Sequence, residues 1–348
     1  MHFYLEAFCK LLEDNDIQTD IMSNFSYKNK KQYLPNVFVK SPVKKVINLF
    51  ISYFKLLFAI LRLKKNEYII LELYGIVLDI PLFLLGKLNR KRILVDVHEM
   101  MALDYKNPTL RKILYYLYKT CPNKIIAHSA KISNALSELS NKNNILFVPL
   151  FHYHVDLDYD IKNLGEDVIN VFEHDSTYFL FFGNIRPSKG LHNLLAATEL
   201  LTDDRIKIII AGQDIFNKLQ EYKESHVINN NVIAILRLIN DDEMKYLFKK
   251  SHATLLPYES ISQSAVLETA VNFKIPLITS NIDYFKTILG DFPSFGKYTD
   301  TTNPGVFVDS LIHFAEVDIK EEYYNESDMK KYYENDKFEA FIKDIRNL

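Results

Sequence analysis

Short apolar runs alternate with stretches of helical periodicity along most of this chain, and no other feature of the sequence restricts its fold as much. Each run has the length and the polar or turn-forming flanks of a buried parallel strand. The runs lie at residues 17–23, 68–73, 92–97, 124–128 and 144–149, and then at 178–183, 206–211, 232–236, 253–257 and 276–279. Helices are predicted between them, for example at 190–201 and at 241–251, where Asp241 and Asp242 are suited to capping. The sequence therefore predicts an α/β fold.

A polar, acidic stretch at residues 156–176 separates the two sets of strands. Two successive α/β sets predict two doubly wound, Rossmann-like domains that face each other across a cleft, where ligands of such folds bind. The predicted domains are residues 1–155 and 156–325. Residues 326–348, with Phe338, Phe341 and Ile345 at helical spacing, are expected to form a helix that packs back on the N-terminal domain.

Charge is divided between the two halves of the chain. Residues 1–150 hold 22 basic and 12 acidic side chains, whereas the other residues hold 20 and 32. A basic half suits an anionic partner such as a membrane surface or a phosphate-bearing lipid. A nucleic acid is disfavoured because no recognition motif accompanies the scattered cations. The composition, 48% apolar and 25% charged, is globular, and only two cysteines, Cys9 and Cys121, are present, which indicates a cytoplasmic setting.

The most apolar stretch of the chain, residues 46–63, is interpreted as an amphipathic helix. It contains Lys55 and Arg62 and is marginal in length for a membrane-spanning segment. Two hypotheses remain open. The stretch is either a core helix of the first domain or an interfacial helix, whose basic residues contact anionic headgroups at the inner face of the cell membrane.

Residues 181–191, Phe-Phe-Gly-Asn-Ile-Arg-Pro-Ser-Lys-Gly-Leu, predict a phosphate site after a strand. Gly183 would let the backbone approach a ligand, Arg186 would offer a planar fork to phosphate oxygens, and Lys189 would add a mobile charge. The alternative is a surface loop with two solvated cations. Neither a Walker loop nor a Gly-x-Gly-x-x-Gly sequence occurs, so ATPases and ordinary dehydrogenases lose their usual support.

Two further segments are candidates for the site. Residues 255–270 predict a strand, a hydroxyl-rich loop and a helix that begins near Ser262, where free N–H groups and the helix dipole favour an anion. The alternative there is a serine that only caps the helix. His98, in Asp-Val-His-Glu at 96–99, ends another strand and would donate to a substrate oxygen, although a structural role is also compatible with its position.

In this order, the segments resemble the retaining glycosyltransferases of the GT-B fold, of the family 4 or "glycosyl transferases group 1" type. Residues 181–191 resemble that family's loop of glycine, a hydrophobic residue, Arg, two residues and Lys-Gly, and residues 256–266 resemble its Leu-Pro-Tyr and Ser-Gln-Ser-Gly-Val segment. Residues 95–99 resemble the strand and loop that carry the active-site His, and 125–129 and 147–150 resemble the following strands. The resemblance covers nearly the whole chain.

The resemblance implies transfer of a hexose from a nucleoside diphosphate sugar, with retention, to a glycan or a polyprenyl-phosphate-linked acceptor in bacterial-type surface polysaccharide or glycolipid synthesis. It implies His98, Arg186 and Lys189 as catalytic residues. No cofactor and no metal are expected, because these cations and a helix start would stabilise the departing diphosphate. The implied substrate-binding residues are Gly183, Glu259, Ser262, Gln263, Ser264, Ala265, Val266 and Glu268.

Three positions depart from the family pattern. Its Glu-x(7)-Glu signature falls on Ile261 and Thr269, so that only Glu268, one residue early, is available for the ribose. Ala265 replaces a glycine. Residues 1–12 already predict a helix, so the family's first strand and its glycine-rich loop are missing from this sequence. Either these elements are encoded upstream of Met1, or the activity is expected to be impaired. Comparing the activity and solubility of the protein expressed with and without upstream codons would distinguish the two.

Other functions on the same fold remain as alternatives. One is a catalytically silent scaffold or interaction subunit, which the degenerate acidic signature favours. Another is a different nucleotide-sugar enzyme such as an epimerase. A glycan phosphorylase is disfavoured because no lysine context for pyridoxal phosphate is recognisable.

Overall fold

The computed structural model describes residues 2–23, 33–36, 39, 41–64, 67–73, 80–81, 83–84, 93–97, 108–120, 124–139, 144–148, 156–172, 175–261, 263–316, 323–334 and 336–348. The chain divides into two compact units. Leu5–Phe151 with Asp336–Leu348 is named the N-terminal unit here, and Met1–Tyr4 with His152–Asn335 the C-terminal unit. The domain ranges derived from the sequence remain a prediction.

A parallel sheet forms the centre of the N-terminal unit. In the described residues its strands are β1 (Ile69–Leu73), β2 (Ile93–Val97), β3 (Lys124–Ala127) and β4 (Ile145–Phe147), and they lie in the order β1-β2-β3-β4. All five residues of β2 are buried, as expected of a strand covered on both faces. The helices that precede β1 and flank the later strands are α1 (His2–Glu13), α2 (Pro42–Arg62), α3 (Pro108–Thr120) and α4 (Ala130–Leu139).

The C-terminal unit is built on a six-stranded parallel sheet with a reversal in its winding. Its strands are β5 (Thr177–Phe182), β6 (Ile206–Ala211), β7 (Val232–Ile235), β8 (Ala253–Leu256), β9 (Leu277–Ser280) and β10 (Gly296–Thr299). They lie in the order β10-β9-β8-β5-β6-β7, so β8 returns to the free side of β5. This order defines a doubly wound sheet, which binds ligands beyond the carboxyl ends of the two strands at the reversal. Here those strands are β5 and β8.

Helices cover this sheet, and its interior is aromatic and aliphatic. They are α5 (Glu166–Ile169), α6 (Leu191–Glu199), α7 (Lys218–Lys223), α8 (Asp241–Lys250), α9 (Ala265–Asn272), α10 (Asp283–Asp291), α11 (Pro304–Glu316) and α12 (Glu326–Tyr333). Phe179 and Phe181 of β5 are fully buried, and such a side chain contributes about 1.5–3 kcal/mol. Helix α8 begins with a capping box between Asn240 and Glu243, so the cap lies one residue before the predicted Asp pair.

The last helix, α13 (Asp336–Arg346), belongs to the N-terminal unit. The ring of Phe341 lies 5.9 Å from that of Phe8, and the guanidinium of Arg346 donates to the carbonyl of Asn15 at 2.7 Å. The single helix predicted at 326–348 is thus two helices, because α12 ends at Tyr333.

Nine predicted strands are confirmed as β1 to β9, but the predicted strand at 17–23 is wrong. Helix α1 is followed by Asp16 in the left-handed region at φ 60°, and the N–H of Ile17 donates back to the carbonyl of Leu12. The segment is then only partly buried, and the carbonyl of Ser23 accepts from the N–H groups of Tyr33 and Leu34 instead of joining a ladder. In the described part of the first sheet, the strands follow sequence order.

Within the described residues, no helix has both the length and the hydropathy that crossing a bilayer requires.

Candidate functional site

Two loops leave the sheet of the C-terminal unit at its reversal. β5 is followed by residues 183–190, and β8 by residues 257–264. The N–H of Glu259 donates to the carbonyl of Ser188 at 2.9 Å, which joins the loops. Gly190, at φ +64°, approaches so closely that a Cβ on it would lie 1.9 Å from the carbonyl oxygen of Pro257. The two loops therefore form one surface where a doubly wound sheet binds its ligand.

Gly183 lies where this surface meets helix α9. Its φ is +93°, and a Cβ on it would lie 2.9 Å from the Nζ of Lys189 and 3.6 Å from a methyl of Val266. Three residues predicted for the site, Gly183, Lys189 and Val266, are thus brought together. Because glycine has no side chain, it keeps the space in front of the ammonium open.

Lys189 is a cation held inside the protein surface. Its ammonium donates to the carbonyl of Phe182 at 3.1 Å and lies 5.4 Å from the centre of the Tyr258 ring. Burial, and to a smaller extent the charge of the exposed Arg186, lowers the pKa of Lys189 from 10.5 to about 8. No carboxylate of the described residues contributes to that pKa. An anionic ligand beside Lys189 would stabilise its charged form.

The start of α9 adds the positive end of a helix dipole to the same place. The helix begins at Ala265, three residues after the position expected from the sequence. Ser264 is its cap, because its hydroxyl accepts from the N–H of Leu267 at 3.1 Å, and its own N–H donates to the phenol of Tyr284 at 3.2 Å. The capping role considered for a serine is therefore realised at Ser264. The N–H groups of the first turn have no partner inside the helix and favour an anion.

Glu268 is engaged on the other side of α9. The phenol of Tyr332, in α12, donates to its carboxylate at 2.7 Å, and Glu268 is 7% exposed. Burial and this carboxylate raise the pKa of Tyr332 well above its usual value. Thr269, at the position of the family's second Glu, donates to the carbonyl of Ala265 at 2.9 Å. Contact between Glu268 and a ribose, which remains a prediction, would have to compete with Tyr332.

A second carboxylate lies on the loop surface itself. Oε1 of Glu259 is 3.0 Å from Nε2 of His192, and both side chains are half exposed. His192 lies in the first turn of α6, two residues after Gly190. It was not predicted as a site residue, although its position directly after the phosphate loop could have indicated it. A carboxylate and an imidazole side by side offer an acceptor and a donor to sugar hydroxyls.

The predicted residues His98 and Ser262 lie outside the described residues.

Two positions before His98, Asp96 forms a buried pair with His128. The Nε2 of His128 is 2.7 Å from the Asp96 carboxylate, and its Nδ1 is 3.0 Å from the carbonyl of Val148. A carbonyl only accepts, so the contact with Val148 assigns a proton to Nδ1 of His128. The pair ties together the carboxyl ends of β2, β3 and β4.

Removal of one member of this pair is expected to destabilise the N-terminal unit strongly. Asp96→Ala should lower the free energy of unfolding by about 3–5 kcal/mol, because it leaves a buried polar ring without its 2.7 Å contact. Urea denaturation would measure this. The double variant Asp96→Leu, His128→Leu should lose less stability than the sum of the losses of Asp96→Leu and His128→Leu, and strictly additive losses would contradict the coupling.

Carboxylates with the spacing of a metal motif have other roles here. Asp-x-Asp sequences occur at 14–16 and 156–160. Asp156 accepts from the N–H of Asp158 at 3.1 Å, and Asp160 caps a short helical turn by accepting from the N–H of Lys162 at 3.0 Å. In the part of the chain that the structure describes, no three metal-ligating side chains lie together. The expectation that no metal takes part remains a prediction.

Residues 166–331 match the family model of the glycosyl transferases group 1. No curated protein sequence matches the chain significantly. The family match confirms the resemblance to the glycosyl transferases group 1 over residues 166–331, which contain both loops of the site. Retention of configuration and the resemblance of the N-terminal motifs stay predictions.

Solved structures of low sequence identity share the fold. The structure of Anabaena HepE with UDP and glucose is 12% identical to this chain, with a TM-score of 0.65. The structure of HepE with UDP-glucose is 13% identical, with a TM-score of 0.64. Each match covers 98% of this chain and 88% of the HepE chain. A UDP-forming trehalose-phosphate synthase of Burkholderia xenovorans, solved with glucose-6-phosphate, is 12% identical with a TM-score of 0.62 over 88% of this chain and 79% of the other. These similarities confirm the α/β class and the GT-B fold.

Proposed function

We propose that this chain is a glycosyltransferase, because residues 166–331 match the family model of the glycosyl transferases group 1. The proposed reaction moves a hexose from a nucleoside diphosphate sugar to an acceptor hydroxyl with retention of configuration. The observation that carries the donor class is the cationic surface at the reversal of the sheet. Lys189 and the start of α9 lie beside Gly183, and the charge of Arg186, from the same loop, acts on Lys189, an arrangement that suits a diphosphate.

The chemistry of the transfer agrees with this arrangement. When the bond between the anomeric carbon and the phosphate oxygen breaks, its electron pair moves to the diphosphate, and the sugar acquires oxocarbenium character. Positive charge that is already in place stabilises the diphosphate without reorganisation. Lys189 would then become fully protonated as the negative charge beside it grows. Arg186, exposed at the start of the same turn, would hold the outer phosphate oxygens.

The acceptor class follows from charge. The basic N-terminal half suits a glycan or a polyprenyl-phosphate-linked sugar, and His98, the residue that follows β2 in the sequence, would serve that side of the reaction. The reaction would take place in the cytoplasm, at the inner face of the cell membrane, in surface polysaccharide or glycolipid synthesis. Neither a cofactor nor a metal ion is required, because Arg186 and Lys189 of the first loop and the start of α9 take the place of a divalent ion.

A nucleoside diphosphate is expected to stabilise the protein. At a concentration about 100 times its Kd, a ligand that binds only the native state adds about 2.7 kcal/mol to the free energy of unfolding, or about 5–10 °C in Tm. A thermal-shift panel of UDP, GDP and ADP would show which base is accepted, and UDP is the first choice because HepE was solved with it. The corresponding monophosphates are the control, since they lack the second phosphate.

Transfer is then tested with the sugar of the preferred nucleotide. Release of the nucleoside diphosphate in the presence of an acceptor, undiminished by EDTA, is the expected result. Binding without turnover across UDP- and GDP-sugars and a range of acceptors would favour the silent scaffold instead. A requirement for a divalent ion would contradict the metal-free proposal alone.

A further inference from the structure

The outer face of helix α2 is an exposed apolar stripe. Eight large apolar side chains of this helix are between 42% and 69% exposed, among them Val46, Ile47, Phe50, Phe54, Phe58 and Leu61. At 3.6 residues per turn, the eight lie within about 140° of the circumference and run the length of the helix. The stripe is therefore a continuous surface.

The core-helix hypothesis accounts only for the opposite face. Ser52 and Ile60 are buried there, and Ile60 packs into the core of the N-terminal unit. A helix with one buried face normally shows polar residues on the other. Here both faces are apolar, so packing in the core leaves the outer stripe unexplained.

Cations follow one edge of the stripe. Lys44, Lys55 and Arg62 lie at nearly the same angle around the axis, and the helix contains no Asp or Glu. Lys44 and Arg62 are exposed, and the guanidinium of Arg62 lies 5.9 Å from the centre of the Phe58 ring. Lys55 donates to the carbonyl of Tyr33, so it is less available. Within α2, the exposed apolar stripe is therefore accompanied by basic side chains and by no acidic ones.

We propose that the outer face of α2 is the surface by which the protein lies on an anionic lipid bilayer. Phe50, Phe54 and Phe58, four residues apart, would enter the boundary between headgroups and acyl chains, with the helix axis parallel to the membrane. Lys44 and Arg62, near the two ends, would contact phosphate headgroups. A second copy of the chain fits less well, because it would add the same cations and no carboxylate.

Vesicle sedimentation of the full chain tests this surface, with phosphatidylcholine vesicles that contain or lack phosphatidylglycerol. We expect the protein to prefer the anionic vesicles, and high salt to weaken the binding. Phe50→Ser, Phe54→Ser should reduce partitioning at least tenfold. Lys44→Glu, Arg62→Glu should reduce it at least about 25-fold, because each charge near the surface is worth a factor of about five.

Matched variants in the C-terminal unit serve as controls. Val227→Ser, Ile161→Ser replaces two exposed apolar residues, and Lys223→Glu, Lys250→Glu makes the same change in net charge. Both should bind vesicles like the wild type. Absence of binding to anionic vesicles, or equal losses in the α2 and control variants, would overturn the proposal. If the wild type does not bind vesicles but forms a dimer, and Phe50→Ser, Phe54→Ser makes it monomeric, the stripe would instead contact a second copy of the chain. The assay needs neither donor nor acceptor, so its outcome is separate from that of the transfer assay.

Discussion

Lys189→Met is expected to remove most of the transfer activity while leaving the fold at least as stable. Loss of one preorganised cation at the departing diphosphate should lower kcat/KM by about 10²–10³-fold. The folded wild type holds an ammonium whose pKa burial has lowered to about 8, and this costs stability at pH 7. The aliphatic part of methionine can occupy the same space without that cost. Initial rates and urea denaturation at pH 7 measure the two effects.

The pH dependence of the free energy of unfolding would show that the buried ammonium of Lys189 is what reduces the stability of the wild type. The pKa of Lys189 is 10.5 without the fold and about 8 within it, so the unfolded chain binds more protons between these values. The free energy of unfolding of the wild type should therefore gain a contribution that rises from pH 8 to pH 10, and Lys189→Met should lack it. Donor affinity should fall over the same range. Lys223→Met, at an exposed position of α7, is the control, and an equal loss of rate there would contradict the role of Lys189.

Gly190→Ala is expected to damage both the fold and the site. At the φ of +64° found for Gly190, a residue with a side chain loses about 1–2 kcal/mol of stability. The new Cβ would also lie 1.9 Å from the carbonyl oxygen of Pro257, and the resulting overpacking costs about 1–3 kcal/mol more. Because the loops must separate to relieve the clash, affinity for the nucleoside diphosphate should fall as well. Denaturation and ligand titration of the folded fraction would record both losses.

Gly290 offers a matched control for this substitution. It lies inside α10, and a Cβ there would meet no atom within 4 Å. Gly290→Ala should raise the free energy of unfolding by up to about 1 kcal/mol through helix propensity. If the two alanine variants have the same Tm, the close approach of the two loops is not what requires glycine at position 190.

The strands of this fold could be predicted from the sequence where most of their residues are buried, because such strands are predominantly apolar runs. Strand β10 was not predicted, because it is a short edge strand in which Lys297 and Tyr298 are exposed. The error at residues 17–23 has a related cause. Ile17 and Ile21 would lie on the same face of a strand, but hydrogen bonds at the end of α1 set the direction of the chain there.

The site was predictable in its residue types but not in its contacts. Arg and Lys after a glycine-ended strand indicate phosphate, yet nothing local shows that Lys189 lies against Tyr258, from a loop that is distant in sequence. The carboxylate of Glu268 was available for a ribose in the sequence, whereas Tyr332 of α12 donates to it in the structure. The contact between His128 and Asp96 could not be predicted, because Asp96 lies on β2 and His128 follows β3. Each of these contacts depends on tertiary packing.

The strand order also has a consequence for synthesis of the chain. β5 and β8 are neighbours in the sheet, but β6 and β7 are made between them. A nascent chain that ends before β8 has only one of the two phosphate loops and lacks α9, so it has no complete donor site. Pairing of distant parallel strands is slow because loop closure must precede it. The nucleotide would thus recognise a late product of folding, and its addition to a cell-free translation reaction would report the moment at which the sheet is completed.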